Sequence, residues 1–391
     1  RKAHAPVLPV HVQAHNSAMF YGVSMLAKPL ATLLLPRELF APRSRRITLT
    51  VGSPVPAAAL EHPRLSDRQL AQRMRMHVYR LARRKPPVFA TSSAIAHPQP
   101  ALAVRAALKR AERLGQTSDG KQILLLDAGP DNAALKEIGR LRELAFRKVG
   151  EGTGLRRDLD RFDAHYRHIV LWDEAELMIA GAYRLAECRT VLAQRGAAGL
   201  YSASLFDYAP AASDFLEESV ELGRSFVHPR YWGSRSLDYL WQGIGAYLGR
   251  HPEVRYLLGP VSLSAQLPEA ARDWIVACHA HYLGDREGLA RARNPLSLDP
   301  AVLSAAEAAF AGLDLKAGLA RLKRELDTLG GSLPVLYRQY VDLCEPEGVR
   351  FLAFGVDPDF GHCVDGLIRV DLALLKPAKR SRYLSASSQA A

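Results

Sequence analysis

Residues 85–100 read KPPVFATSSAIAHPQP, and this stretch constrains the chain more than any other. Proline fixes φ and lacks an amide hydrogen, so four prolines in sixteen residues exclude a continuous helix or a central strand. The chain is therefore expected to build two cores, 1–90 and 105–391, joined by a linker at 91–104. Its 391 residues suffice for two domains, and 48% hydrophobic against 24% charged residues is a globular composition.

The front segment reads as strand, helix, strand and helix. APVLPVHVQ has the β-branched content of a buried strand, and RRITLTVG alternates like a half-exposed one. Between them, Lys28 and Pro29 interrupt the apolar run at 18–36, which reads as a core helix rather than a membrane span. Ser66 and Gln69 form a capping-box pattern that opens a helix to about Lys85. Leu70, Met74, Val78 and Leu81 stripe one side of it, and six arginines spread over the other. Residues 61–90 hold eight basic and two acidic residues, half of the net charge of +12. Such a charge suits an anionic partner: a membrane surface, an acidic carrier protein, a phosphorylated cofactor or nucleic acid. Nucleic acid ranks last, because no RNP-like or helix-turn-helix signal accompanies the charge. A basic amphipathic helix either lies on anionic lipid or presents a solvated face. The four cysteines show no metal-binding spacing and fit a reducing cytoplasm. The start at Arg1, without Met, reads as an incomplete piece of a longer protein.

From about 105, strands and helices alternate, which predicts a mixed α/β domain. KQILLLD, HIVLWD, ELMIAGAYRLAE, ESVELGRSFVHP, RYLLGPVSLS, RFLAFGVDPDF and CVDGLIRVDLALL read as strands. Helices are expected from Asp131 or Asn132 to Lys148 and over SLDYLWQGIGAYLGR, with an Ala-rich helical insertion at 285–315.

Seven blocks stand in order: RLRELAFRKVGEGTG, RRDLDRFDAHYRHIVLWD, AGAYRL, LYSASLFD, ELGRSFVHPRYW, LDYLWQGIGAYL and YLLGPVSLS. PVLYRQYVDLCEPEGVRFLAFGVDPDF follows at 334–360. This succession resembles the family labelled hemolysin, which is similar to the N-acyltransferases of ornithine-lipid and glycine-lipid synthesis. The resemblance covers roughly 120–285 and 334–360. It implies a GNAT fold, with a mixed sheet flanked by helices. It also implies an acyl carrier protein thioester as donor, coenzyme A being the other choice, with no tightly bound cofactor. The acyl group would be fatty and 3-hydroxylated, the acceptor an amino-acid α-amine, and the setting the cytoplasmic side of the inner membrane.

A more distant resemblance, to acyl-homoserine lactone synthases, implies residue roles. The early basic position falls on Arg142 or Arg147, the aspartate pair on Asp160 and Asp163, the strand arginine on Arg184. Glu-x-x-Arg falls on Glu221 and Arg224. The chemistry asks for such groups: an amine attacking a thioester must be neutral, and an α-amine is mostly protonated at pH 7. Glu221, on a strand leading to a loop, suits the base, directly or through a water. Arg184 and Arg224 suit an acceptor carboxylate, and Asp160 and Asp163 an amine or the bracing of those arginines. A salt-bridge network without substrate is the plainer alternative for all of these. On the donor side, Arg230, Gly233 and Arg235 occupy the R/Q-x-x-G-x-G/A segment, which binds a pantetheine phosphate on backbone N–H groups at a helix start. Arginine replaces the last small residue there.

The front segment APVLPVHVQAHNSAMFYG resembles the last block of a lysophospholipid acyltransferase domain. That family's His-x4-Asp recurs as His62–Asp67 and His168–Asp173, but after the block rather than before it, so both are expected to be accidental and an O-acyltransferase activity absent. His279 and His281 are not expected to bind metal. Two other functions remain open at this stage: a GNAT transferring acetyl from acetyl-CoA to a small amine, and a basic lipid- or nucleic-acid-binding adaptor.

Overall fold

A computed structural model describes residues 5–40, 47–60, 65–127 and 129–384. The chain divides into two compact units, residues 1–94 and 95–391.

In the first unit β1 (Val10–Gln13) and β2 (Thr48–Val51) pair antiparallel, with Val10 opposite Val51 and Val12 opposite Leu49. The strand is not buried as its composition suggests. His11 turns towards Tyr79, and the period of two then leaves Val10, Val12, Leu49 and Val51 exposed on the other face. Nor is the apolar run at 18–36 a core helix: α1 (Ala18–Leu26) is capped by Ser17, ends before Lys28 and buries no residue. Among the described residues no helix is long and apolar enough to cross a membrane. The capping box forms as the sequence indicates. Ser66 Oγ accepts from Gln69 N (3.3 Å), Gln69 Oε1 accepts from Ser66 N (3.0 Å), and α2 runs Asp67–Ala82. Its Leu70 and Met74 pack on Val55, Leu60 and Phe89.

The second unit is a mixed α/β fold around one eight-stranded sheet. Its strands are β3 (Glu112–Gln116), β4 (Gln122–Leu126), β5 (Arg167–Asp173), β6 (Met178–Glu187), β7 (Ser219–Val227), β8 (Tyr256–Leu263), β9 (Val349–Asp357) and β10 (Cys363–Asp371). The order across the sheet is β9-β10-β8-β7-β6-β5-β4-β3. Only β7 and β8 pair parallel; every other neighbouring pair is antiparallel. Parallel pairing needs a crossover, and α4 (Ser236–Leu248) supplies it. Tyr239, Leu240, Trp241, Ile244, Tyr247 and Leu248 recur at helical spacing and bury one side of α4 against the sheet. The opposite face carries α3 (Ala133–Lys148), capped by Asn132, whose Leu135, Ile138, Leu141 and Phe146 meet Trp172 and Phe226. Further helices pack beyond the crossover, among them α5 (Glu269–Leu283), α6 (Leu315–Thr328) and α7 (Val335–Val341), and within the Ala-rich stretch Pro300–Phe310 is helical as expected. The strand β3 (ERLGQ) has no apolar alternation to announce it, and it lies at the sheet edge with a register shift.

Candidate active site

β7 and β8 begin together and then part. Their pairing covers Ser219–Tyr256, Val220–Leu257 and Glu221–Leu258 only. At the fork the backbones nearly touch: a Cβ on Gly259 would fall 2.0 Å from Leu222 O, so only glycine fits. Two features end the ladder. Pro260 has no N–H to give, and on the β6 side Arg224 and Ser225 together oppose Tyr183 in a bulge where Arg224 takes a φ of 50°. The gap is lined by Gly223, Arg224 and Ser225 from one strand and by Pro260, Val261 and Ser262 from the other, and encloses about 90 Å³. A second cavity, about 780 Å³, shares Tyr201 and Arg224 with it. Arg224 is thus the common wall of the two.

The arginine makes only long ion pairs. Its side chain is 10% exposed, and its nearest carboxylates are Asp158 at 3.5 Å and Asp160 at 3.9 Å. It packs on the rings of Phe360 (4.3 Å) and Tyr201 (4.9 Å). No hydrogen bond of its guanidinium occurs among the described residues. A guanidinium so placed can take a ligand carboxylate through two parallel bonds.

Around it stand three carboxylates that the sequence reading did not single out. Glu151 and Asp365 line the gap, and Asp357 lines the larger cavity. Burial pushes Glu151 up to about 7, against the opposing pull of a Ser262 hydrogen bond and the Arg224 charge. Asp365 rises to about 8 through burial and the charges of Asp357 and Glu151. Glu143, fully buried, fixes the loop that carries Glu151 by accepting from Thr153 N (3.1 Å), Thr153 Oγ1 (2.7 Å) and Gly154 N (2.9 Å). A signal for Asp365 was present: an acid between Val364 and Gly366, within the otherwise apolar run 363–368, is costly unless used.

The residues expected from sequence divide. Arg224 and Asp160 line the larger cavity. Glu221 lines neither cavity and is 1% exposed. It accepts from Tyr166 OH, from Tyr201 N (3.1 Å) and from Ser202 N (2.5 Å), so its lone pairs hold the 201–202 turn. In this structure it is enclosed by these donors and faces neither cavity, unlike the open position expected of a base from sequence. Arg184 is likewise enclosed: it binds Asp160 (2.7 Å), reaches Asp163 (3.4 Å), and lies against the rings of Tyr166 and Tyr201. Asp163 sits between Arg142 (2.7 Å) and Arg184, and its Oδ2 accepts from Asp160 N (2.8 Å). Burial raises its carboxyl, but the Arg142 and Arg184 charges outweigh this and hold it well below the usual range. Arg147 pairs with Glu143 (2.5 Å) and donates to Leu155 O (2.6 Å), a loop-building position that lines neither cavity, although Leu155 lines the larger one. Arg142, the other early position, is fully buried.

At the donor segment the chain leaves the splayed end of β7 and enters α4. Gly233 takes a φ of 78°, Arg230 pairs with Glu176 (2.9 Å), and Arg235 contacts Asp238 (3.4 Å). No side chain of the Ncap residue closes the start of α4. The second His-x4-Asp is not assembled: His168 is buried and contacts Arg142 (3.1 Å), while Asp173 lies about 16 Å further along the same extended strand. His62 lies outside the described residues. Among the described residues no cluster could hold a metal, and His279 is enclosed within the fold.

Residues 141–242 match the family described as acetyltransferase (GNAT) domain. The glycine N(alpha)-acyltransferase of Bacteroides thetaiotaomicron is 29% identical over 294 residues, 72% of this chain and 86% of that protein. The L-ornithine N(alpha)-acyltransferase of Rhodobacter capsulatus is 31% identical over 180 residues, 43% of this chain and 68% of that protein. A solved CoA-dependent acyl-homoserine lactone synthase is 14% identical, with a TM-score of 0.26 over 37% of this chain and 67% of that one. With sequence kinship extending over most of these relatives, the chain belongs to the GNAT-type N(alpha)-acyltransferases, the family of the glycine and ornithine enzymes.

Proposed function

We propose that this acyltransferase joins a fatty acyl group, carried as a thioester, to the α-amine of an amino acid in aminolipid synthesis. The observation that carries the reading is Arg224, without a hydrogen bond, between a strand gap and a larger cavity, with Glu151 beside it. The acceptor's carboxylate pairs with Arg224. Its nitrogen attacks the thioester carbonyl, the C–N bond forms, and the C–S bond breaks. Glu151 takes the ammonium proton, directly or through one water, and the leaving thiolate is protonated in turn. Glu221, Arg184 and Asp163 hold the surrounding turns, and Asp160 stands at the cavity wall.

The donor is proposed to be an acyl carrier protein bearing a 3-hydroxy fatty chain. The exposed Arg230 and Arg235 near the start of α4 suit its phosphate and its acidic surface. Acid residues also mark the acceptor side. Asp158, Asp160, Asp357 and Asp359 line the larger cavity, and Asp158 Oδ2 and Asp160 Oδ2 are buried without a hydrogen bond. Both oxygens face Arg224, at 3.5 and 3.9 Å, and the acidic wall of this cavity suits a second ammonium on the acceptor, so ornithine or lysine is proposed over glycine.

Purified chain, acyl thioester and one amino acid at a time should yield an amide-linked product detectable by mass spectrometry. Absence of amide with every amino acid, but acetylation of small amines, would sink the proposal. Arg224→Gln should raise the acceptor KM more than it lowers kcat, because the lost pairing is made in both ground and transition states. Equal donor use of carrier protein and coenzyme A would remove the carrier-protein preference.

The front unit is proposed to hold the enzyme at an anionic, inner-membrane surface through α2. It resembles the end of a lysophospholipid acyltransferase domain. Changing Arg73, Arg80 and Arg84 to Gln should sharply reduce co-sedimentation with anionic liposomes at low salt, since each contributes about 1 kcal/mol near such a surface. Unchanged sedimentation assigns that face to solvent.

A further inference from the structure

A third cavity, of about 660 Å³, lies on the other side of α7. Leu336 and Tyr340 of that helix line the strand gap, whereas Arg338 and Val341 line this cavity. Its long wall is α6, where Leu315, Leu319, Leu322 and Leu326 recur every three or four residues on one side. This volume falls within the range of small-molecule sites, and its apolar wall disfavours a wholly polar ligand.

The mouth and the floor differ chemically. At the mouth, Lys316, Lys323 and Arg338 are exposed and form no ion pair among the described residues. Asp342 is already held by Lys376 (3.1 Å) and Lys379 (2.6 Å), while Asp327 and Glu345 complete the rim. At the floor is His279, 1% exposed. Its Nδ1 lies 2.7 Å from Ile275 O, and a carbonyl can only accept, so Nδ1 carries the hydrogen. Burial lowers the ring to about 4, so it is neutral at pH 7. Nε2 is then a bare acceptor, buried and without a partner. An unmet acceptor in an enclosed site is costly, and native interiors seldom leave one.

We propose that this cavity binds a long-chain fatty carboxylate, with its chain along the α6 leucines, its head at Lys323 and Arg338, and its far end at His279. The site stands apart from the reaction gap and does not depend on the reaction proposed above. The cations select an anionic head over a neutral one, and the histidine rewards a hydroxyl donor at the far end of the chain.

The full chain is titrated with the fluorescent fatty acid cis-parinarate below its critical micelle concentration, then displaced by palmitate, hexadecanol or 16-hydroxyhexadecanoate. Saturable binding is expected, with palmitate displacing at least about tenfold better than hexadecanol and the hydroxylated acid better still. Leu319→Trp, which fills the cavity, should abolish the saturable component. Lys323→Glu, a surface change that leaves the core untouched, should weaken palmitate by about tenfold or more. His279→Phe should erase the preference for the hydroxylated acid. No saturable binding, or wild-type binding in both Leu319→Trp and Lys323→Glu, overturns the proposal, the latter by placing the fatty acid elsewhere. Equal affinity for palmitate and its hydroxylated form overturns the placement of the chain end at His279.

Discussion

Glu151→Gln is expected to lower turnover at pH 7 by roughly two to four orders of magnitude while the protein stays folded. The amide keeps the size and the hydrogen-bonding reach of the acid but cannot accept the ammonium proton. In the unaltered enzyme Glu151 must be ionised to act, so activity should rise as pH increases through about 7, its shifted value. The variant should lose that limb and recover partially at alkaline pH, where the acceptor deprotonates itself. Stability should move the other way. Because burial raises this carboxyl above its unfolded value, ionising it opposes folding, and native stability falls as pH rises from the unfolded value to about 7. Glu151→Gln removes that loss and should melt no lower than the parent at neutral pH. Near-normal turnover in a folded Glu151→Gln enzyme would transfer the role to Asp365, the other raised carboxylate of the gap.

Asp163→Ala should destabilise the second unit by about 3–5 kcal/mol, the usual cost of stripping one partner from a buried ion pair. The loss is large because Asp163 serves Arg142 and Arg184 together, and neither guanidinium has water to turn to. Its carboxyl is held below the ordinary aspartate range, so this contribution is complete above the unfolded pKa of about 3.9 and is lost as pH falls below it. Urea unfolding at pH 7 and pH 3 checks both statements: the parent should lose stability on acidification, and the variant should lose less. A variant within about 1 kcal/mol of the parent at pH 7 would show that Asp160 alone can neutralise the pair.

The large apolar strands of the second unit were legible because β-branched and aromatic runs bounded by turns admit few other folds. ESVELGRSFVHP became β7 and RYLLGPVSLS became β8, within a residue or two at each end. The front strand misled, because APVLPVHVQ announces burial but cannot say which face receives a covering layer. The site was harder to read for a related reason. The Glu-x-x-Arg spacing locates Glu221 and Arg224 on one strand, but an ordinary alternating strand would not tell that a bulge intervenes. An alternating strand sets residues three apart on opposite faces, and the bulge at Arg224 resets that alternation, so that Glu221 holds the 201–202 turn while Arg224 reaches the cavities beside it. Glu151, by contrast, lies in a glycine-flanked loop whose sequence carries no periodicity, and only the fold brings it to the strand gap.

Arg224 as the shared wall of two cavities makes the strength of the base depend on occupancy. With only the long pairings to Asp158 and Asp160 against it, the guanidinium pulls the Glu151 carboxyl downward and weakens it as a proton acceptor. In the proposed binding mode, an amino-acid carboxylate seated on Arg224 offsets that pull, so the ionised Glu151 becomes the stronger acceptor for the ammonium proton once the acceptor has arrived. With the acceptor absent, the weaker base is also less able to activate a stray water against the thioester. The acceptor thereby sharpens the group that deprotonates it, and a costly acyl donor is spared hydrolysis while it waits.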